Sequence, residues 1–144
     1  MKLMGKPKIL LFLLCMPAGL LQAEDLILHS IDQLRWTSRV ILVEIENDDA
    51  DTLIRLENAK EEINERHINW FVFSQDSFYS NYKNRIGREF RTTIYKDYLN
   101  DTNVVLLGKD GYIKLTSDTL ELDKIFELID TMPMRQMEMT SQSE

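Results

Sequence analysis

The chain has 144 residues, a formal net charge of −7 and a single cysteine. Its length suits one compact domain with an apolar core of its own. The excess of carboxylates repels phosphate backbones and anionic lipid surfaces, so the composition argues against nucleic acid or a membrane surface as the partner.

The first 23 residues have the layout of a secretory signal. Three lysines precede a short apolar run at residues 9–16, and the segment ends in Leu-Gln-Ala at Ala23. The run is far shorter than the ~20 residues that a membrane span needs. We therefore predict cleavage after Ala23, a domain at residues 24–139 and a polar, disordered tail at residues 140–144. An uncleaved anchor or a lipid attached at Cys15 is the alternative.

The exported domain would contain no cysteine, because Cys15 lies within the signal. It would also lose three of the 17 basic residues and none of the 24 acidic ones. A chain exported without disulfides depends on its core, which fits a bacterial exported protein better than a small extracellular module. The sequence therefore predicts a secreted or periplasmic protein without thiol chemistry.

The first half of the domain predicts a strand, a helix and a second strand. After a lead-in at residues 25–36 that is either helical or extended, residues 39–46 contain a continuous apolar run typical of a strand covered on both faces. Residues 47–67 open with several carboxylates, which favour a helix N-terminus, and continue with apolar residues at helical spacing. Residues 68–74 repeat the pattern of a buried strand.

The second half predicts a helix, a hairpin and a final helix. Gly87 interrupts the poorly patterned stretch from residue 75, and residues 88–99 follow with helical spacing. An apolar strand at residues 104–107 is joined to a returning strand at residues 112–117 by "GKDG", since Asp-Gly tolerates the positive φ angles of tight turns. The last helix has its apolar stripe at residues 122–132, with a cap at Asp118 or Thr119.

These elements have the order β-α-β-α-β-β-α. Two strand–helix–strand units place the early strands in parallel, and the hairpin adds an antiparallel edge. The sequence thus predicts an α/β protein with a mixed four-stranded sheet and a thioredoxin-like fold.

Two segments, "GKDGYIKL" and "FELIDTMPMRQMEM", together with the opening "QLRWTSRVILV", resemble the family catalogued as DUF4174. The resemblance in the first two segments is carried by Gly108, Lys109, Asp110, Gly111, Lys114, Leu115, Phe126, Ile129, Asp130, Met132, Pro133, Met134, Arg135, Glu138 and Met139. It implies a thioredoxin- or peroxiredoxin-like domain of bacterial exported proteins and of some secreted, matrix-associated vertebrate proteins. The family has no settled activity, so the resemblance implies a fold and a setting rather than a substrate.

Thiol redox catalysis is the first activity that this fold suggests. It needs a low-pKa cysteine where the first strand meets the first helix. That junction reads "IENDDADT" and holds no cysteine, and no proline precedes the predicted third strand. The sequence therefore excludes a thioredoxin or peroxiredoxin mechanism for the exported domain and favours a non-enzymatic role.

Five carboxylates near the same junction are candidate ligands for a hard cation: Glu44, Glu46, Asp48, Asp49 and Asp51. The segment lacks the spacing and the central glycine of an EF-hand. We expect a solvated turn that caps the following helix, with no bound metal.

Three methionines near the C-terminus, Met134, Met137 and Met139, are candidate Cu(I) ligands. No cysteine or histidine lies near them in sequence, so we expect them to pack back against the domain as adaptable apolar residues. Pro133 is expected to kink or end the last helix before them. We predict neither a metal nor a cofactor.

The remaining candidates are polar residues within the family segments. Lys109 and Asp110 lie at the predicted hairpin tip, and Arg135 and Glu138 follow the last helix. Our leading hypothesis assigns these four residues to a surface that binds a protein or a matrix component. The alternative is a thiol-independent enzyme that uses the acidic junction or the region around Lys109 and Arg135.

Overall fold

The computed structural model describes residues 27–46 and 49–142. The predicted signal lies outside these residues, so its cleavage stays a prediction. The strands are β1 Arg39–Glu44, β2 Ile68–Phe73, β3 Phe78–Ser80, β4 Val104–Leu107 and β5 Ile113–Ser117. The helices are α1 Ala50–Asn58, α2 Lys60–Glu65, α3 Arg88–Tyr98, α4 Leu122–Asp130 and α5 Pro133–Ser141, and a 3₁₀ turn at Ile31–Leu34 forms the lead-in.

The sheet is mixed, as predicted, but it has five strands in the order β3-β2-β1-β4-β5 and not four. The additional strand, β3, pairs antiparallel with β2 after a tight turn in which the Ser74 N–H donates to the Ser77 carbonyl at 2.9 Å. β1 and β2 are parallel, as expected. β4 runs antiparallel to β1, which corrects the expectation that the second strand–helix–strand unit is parallel. The reversal at β3 explains the difference, because the chain enters α3 from the opposite direction.

The apolar core covers both faces of the sheet. Successive residues of β1 alternate between the two layers: Ile41 and Val43 pack with α1, α2 and α4, whereas Val40 and Leu42 pack with the 3₁₀ turn and α3. This arrangement explains the uninterrupted apolar run in β1, since a strand buried on both faces has no polar side. None of the helices in the described part of the chain is both long and apolar enough to cross a bilayer.

The turns at the end of the sheet where β2 and β5 begin use residues with positive φ. His67, which ends the α2 segment, has φ +51°, and Gly111 in the predicted "GKDG" turn has φ +81°. The Gly111 N–H donates to the Gly108 carbonyl at 3.0 Å, which confirms the predicted turn. Asp110 shapes the same turn by accepting from the Tyr112 N–H at 3.1 Å.

The C-terminal segment differs from the prediction. α4 begins at Leu122 with Glu121 as its N-cap, not with Asp118 or Thr119. Pro133 begins a separate helix, α5, instead of only ending the preceding one. A proline is well tolerated at the first helical position, because its missing N–H would have no partner there. α5 continues to Ser141, so the predicted tail begins inside a helix.

Candidate functional site

The junction of β1 and α1, where thiol chemistry would be placed in this fold, holds a helix cap. Asp49 accepts hydrogen bonds from the N–H groups of Asp51 and Thr52 at 3.2 and 3.4 Å, and from the Thr52 hydroxyl at 2.6 Å. The Thr52 hydroxyl is the main reason why the pKa of Asp49 lies below its ordinary value. Within residues 27–46 and 49–142, no group of three or more acidic, histidine or cysteine side chains is arranged to hold a metal ion. Asp49 therefore forms the helix cap that the sequence predicts, and Asp48 lies outside the described residues.

The opposite end of the sheet contains a charged cluster, which we call the hairpin-end cluster: Arg39, His67, Lys109 and Glu138. The Lys109 ammonium lies 2.7 Å from Glu138 Oε1 and 2.8 Å from His67 Nδ1. Arg39 Nη1 donates to Glu138 Oε2 at 3.1 Å. One carboxylate on α5 thus holds two cations, one at the start of β1 and one after the end of β4.

Arg39 and Lys109 depend on these contacts because both side chains are buried. Arg39 and Lys109 are only 1% and 8% exposed, so their charges need a carboxylate partner inside the protein. Burial opposes ionisation of Glu138, yet hydrogen bonds from Lys109 and Arg39 outweigh it and hold the pKa of that carboxyl below its ordinary value. Glu138 is therefore ionised at neutral pH and ties α5 to the sheet.

The histidine of the cluster is kept neutral. Partial burial and the neighbouring Lys109 ammonium lower the pKa of His67, and the opposing effect of Glu138 does not restore it. Neutral His67 accepts a hydrogen bond from the Lys109 ammonium at Nδ1, so the ring proton lies on Nε2.

A second ion-pair network lies on the adjacent side of α5. Arg135 donates through Nε to Asp130 at 3.1 Å and through Nη2 to Glu65 at 2.6 Å. Arg66 also binds Asp130, with distances of 3.0 and 2.7 Å from its Nε and Nη2. These contacts join α2, α4 and α5 around a guanidinium that is 1% exposed.

The four predicted site residues do not form the single exposed surface that the sequence predicts. Lys109 and Arg135 were expected on a surface, and both are buried. The reason is that each has a carboxylate partner distant in sequence, a pairing that sequence spacing does not reveal. Lys109 and Glu138 contact each other, whereas Arg135 binds a different set of carboxylates and Asp110 binds Lys114 at 2.7 Å. Their role in partner binding stays a prediction.

Sequence reasoning did not identify Arg39 and Trp36 as site residues. Both occur in "RWTSR", in which the second arginine is Arg39, the first residue of β1. Trp36 has φ +65° although it is a bulky residue, and its side chain is 64% exposed. Its N–H donates to the Lys109 carbonyl at 2.7 Å. The sequence feature that could have identified this site is a tryptophan between two arginines next to a strand, because Trp and Arg are enriched at interfaces.

Trp36 belongs to an exposed surface that we call the hairpin face: Arg35, Trp36, Tyr112 and Ile113. The Arg35 guanidinium lies against Gly111, close enough that a Cβ added there would be 2.5 Å from its Nε. Tyr112, the next residue, is 67% exposed, and Ile113 is also exposed. The contacts of Arg35 with Gly111 and of Trp36 with Lys109 place the lead-in beside the β4–β5 hairpin.

The methionines of the C-terminal segment have mixed environments. Met132 packs against the core, as the predicted apolar stripe requires. Met134 and Met139 are half-buried, but Met137 is 62% exposed, so the prediction that all three packed back against the domain is wrong for Met137.

A family model described as "Domain of unknown function (DUF4174)" matches residues 30–138. Among solved structures, the chain is similar to the reduced 2-Cys peroxiredoxin of Plasmodium vivax, with 20% sequence identity and a TM-score of 0.54, over 74% of this chain and 84% of that one. No curated protein matches the sequence significantly. The structural likeness and the strand order establish the fold. The chain therefore belongs to the DUF4174 family and has a thioredoxin-like fold.

Proposed function

We propose that this chain is an exported, non-catalytic thioredoxin-like domain that binds a protein or matrix partner through the hairpin face. The partner surface would offer an apolar pocket for Trp36 and polar groups for Arg35. Tryptophan, tyrosine and arginine are the residues that most often dominate binding energy at protein interfaces.

The single observation that carries this proposal is the conformation of Trp36. A left-handed backbone costs a non-glycine residue about 1 to 2 kcal/mol, and exposure of a large aromatic ring forgoes its burial energy. Both costs apply to Trp36, because its φ is +65° and its ring is mostly in solvent. Backbone strain of this kind is concentrated at functional positions.

Side-chain contact is favoured over addition of a strand to β5. β5 is the outer strand of the sheet, but its pairing with β4 has a register shift at Leu106 and Leu107, and its second residue is Lys114. Bulges and edge lysines are the features that discourage pairing with another chain. The exposed side chains of the hairpin face, rather than the backbone edge, are thus the proposed contact.

The four residues predicted from the sequence, Lys109, Asp110, Arg135 and Glu138, would hold the backbone of the hairpin face in position. The Lys109 carbonyl holds the Trp36 N–H, and Glu138 holds the Lys109 ammonium. Asp110 accepts from the Tyr112 N–H, and Arg135 fixes α5, which carries Glu138. We propose that they position the hairpin face and do not touch the partner themselves.

The enzyme alternative has less support. Its first candidate region, the acidic junction, borders a cavity of about 350 Å³, but Asp49 in that region is used by the cap of α1. In the second region, Lys109 and Arg135 use their donors on carboxylates, on His67 and on a backbone carbonyl. The cavity beside Lys109 has a volume of about 220 Å³, which leaves room only for a ligand smaller than the drug-sized molecules held by pockets of roughly 300 to 1,000 Å³.

Capture of the partner from the native compartment tests the proposed surface. Wild type is compared with Trp36→Asn, which tolerates the left-handed backbone, and with the control Ile54→Asn. Ile54 is 56% exposed on α1, outside the hairpin face. We expect Trp36→Asn to lose at least about ten-fold in captured partner, because truncation of an interface hot spot costs 2 kcal/mol or more. Equal capture by all three proteins would remove the hairpin face as the site.

Export is tested separately by intact mass. The protein recovered outside the cytoplasm should begin at Glu24, after loss of residues 1–23. A full-length mass in the cytoplasmic fraction alone would contradict export.

A further inference from the structure

The cavity beside Arg39 is the feature that neither the fold nor the proposed partner surface explains. We call it the Arg39 cavity. Its apolar wall is formed by Leu128, Met132 and Met134, and Arg39, Lys109 and Lys114 also line it. Apart from Arg39 and Leu128, its lining residues are among those that carry the family resemblance. The two resembling segments therefore meet at this cavity, although they are separate in sequence.

The Nε–H of Arg39 has no hydrogen-bond acceptor within the described part of the chain. The two terminal nitrogens of this guanidinium are used by Glu138, and Nη1 also donates to the Arg66 carbonyl at 2.8 Å. A buried donor without an acceptor costs about 1 to 3 kcal/mol, and more when it is charged. Arg39 lines the cavity, but its Nε is closed off from solvent. A flexible wall residue such as Met134 must therefore move before an acceptor in the cavity can reach Nε and recover this free energy.

The charges around the cavity favour an anion. Arg39 and Lys109 share the single carboxylate of Glu138, which leaves one positive charge in excess. Lys114 is balanced by Asp110 at 2.7 Å. In a chain with a net charge of −7, this local excess of positive charge is contrary to the overall composition.

We propose that the Arg39 cavity binds a carboxylate carried on a small apolar group, of about the size of benzoate. After a shift of the Met134 side chain that uncovers Arg39 Nε, the carboxylate would accept from this atom, and the apolar body would pack against Leu128 and Met132. The volume of about 220 Å³ suits such a ligand, since an apolar cavity of about 150 Å³ holds benzene. The site is distinct from the hairpin face, so either proposal survives failure of the other.

Nuclear magnetic resonance of the purified protein tests this proposal, with benzoate as the probe. The Arg39 Nε–Hε resonance, assigned by its loss in Arg39→Lys, should shift saturably as benzoate is added. Benzyl alcohol, the neutral analogue, should bind at least about ten-fold more weakly, because it lacks a charge-assisted hydrogen bond. Met134→Trp should abolish the shift by filling the cavity, whereas Met137→Trp, at an exposed position of the same helix, should keep it.

Two sources of the carboxylate are separated by a peptide with a C-terminal phenylalanine and its amidated form. If the free-acid peptide binds more tightly than benzoate, the cavity is assigned to the C-terminus of a peptide chain. If benzoate binds more tightly, the cavity is assigned to a small molecule. The proposal is overturned if benzoate gives no saturable shift, if benzyl alcohol binds equally well, or if Met134→Trp still binds benzoate.

Discussion

The Lys109 ammonium lies 2.7 Å from Glu138 Oε1, and this contact joins the β4–β5 hairpin to the last helix. The Lys109 carbonyl also receives the Trp36 N–H at 2.7 Å. One residue therefore connects the buried charges behind the hairpin with the exposed tryptophan in front of it. The arrangement makes the position of Trp36 depend on α5 through Lys109.

Replacement of Glu138 by glutamine tests the hairpin-end cluster. The change keeps the shape of the side chain but leaves Arg39 and Lys109 without their carboxylate, so we expect a loss of about 3 kcal/mol in unfolding free energy at pH 7. Urea denaturation measures it.

The pH dependence of the same variant has a defined sign. The folded-state pKa of Glu138 lies below its ordinary value of 4.5, so its contribution is present above pH 4.5 and is lost as the pH falls through the folded pKa. The difference between wild type and Glu138→Gln should shrink below pH 4.5. A difference that stays constant down to pH 3 would contradict this role of the carboxylate.

Removal of the Arg135 side chain should lower the unfolding free energy of the domain, because Arg135 is buried and does not form part of a binding surface. In Arg135→Ala, Glu65 loses its partner and a fully buried side-chain volume is emptied, which we expect to cost about 2 to 3 kcal/mol. The control is Arg55→Ala, because Arg55 pairs with Asp51 on an exposed helix face, where such pairs contribute roughly 0.5 kcal/mol or less. Equal losses in the two variants by urea denaturation would disprove a structural role specific to Arg135.

His67 should make the stability of the domain depend on pH near neutrality. Its folded pKa lies below the ordinary value of 6.5, so the unfolded chain binds a proton first as the pH falls, and stability decreases below pH 6.5. We expect the melting temperature of wild type to fall between pH 7.5 and 5.5 more steeply than that of His67→Asn. Asparagine is chosen because it tolerates the positive φ at this position. Identical slopes would show that His67 is not the responsible group.

The strain at Trp36 predicts an unusual effect on stability. In Trp36→Asn the backbone strain is reduced, and a mostly exposed ring contributes little burial, so unfolding free energy should stay unchanged or rise by up to about 1 kcal/mol. In Trp36→Ala the strain remains, and no such gain is expected. Thermal melts of both variants measure the effect. A loss of more than 1 kcal/mol in Trp36→Asn would indicate that the ring stabilises the fold.

Much of the fold could be predicted from local pattern. The apolar run of β1, the "GKDG" turn and the stripe of α4 each depend on residues near one another in sequence. β3 was missed because it is only three residues long, Phe78–Ser80, and has no alternation strong enough to mark it. The end of α4 before Pro133 agrees with the prediction, but the new helix that begins at Pro133 was not predicted, because proline is favoured at the first helical position as well as after a helix end.

The site was less predictable, because its energetics depend on distant pairs. Arg39 and Glu138 are separated by 99 positions in the chain, and nothing in the local sequence of either residue reveals the other. A buried charge with such a partner looks, in sequence, like a surface residue. Lys109 and Arg135 were for this reason expected on a binding surface.

Photo-crosslinking from the hairpin face tests the central claim most directly. A benzophenone amino acid is placed at Tyr112, which is exposed within the hairpin face, or at Ile54 on α1 as a matched exposed position. After irradiation in the native compartment, position 112 should give a discrete cross-linked species with a protein partner, and position 54 should give none. An adduct from position 54 with none from position 112 would contradict binding through the hairpin face.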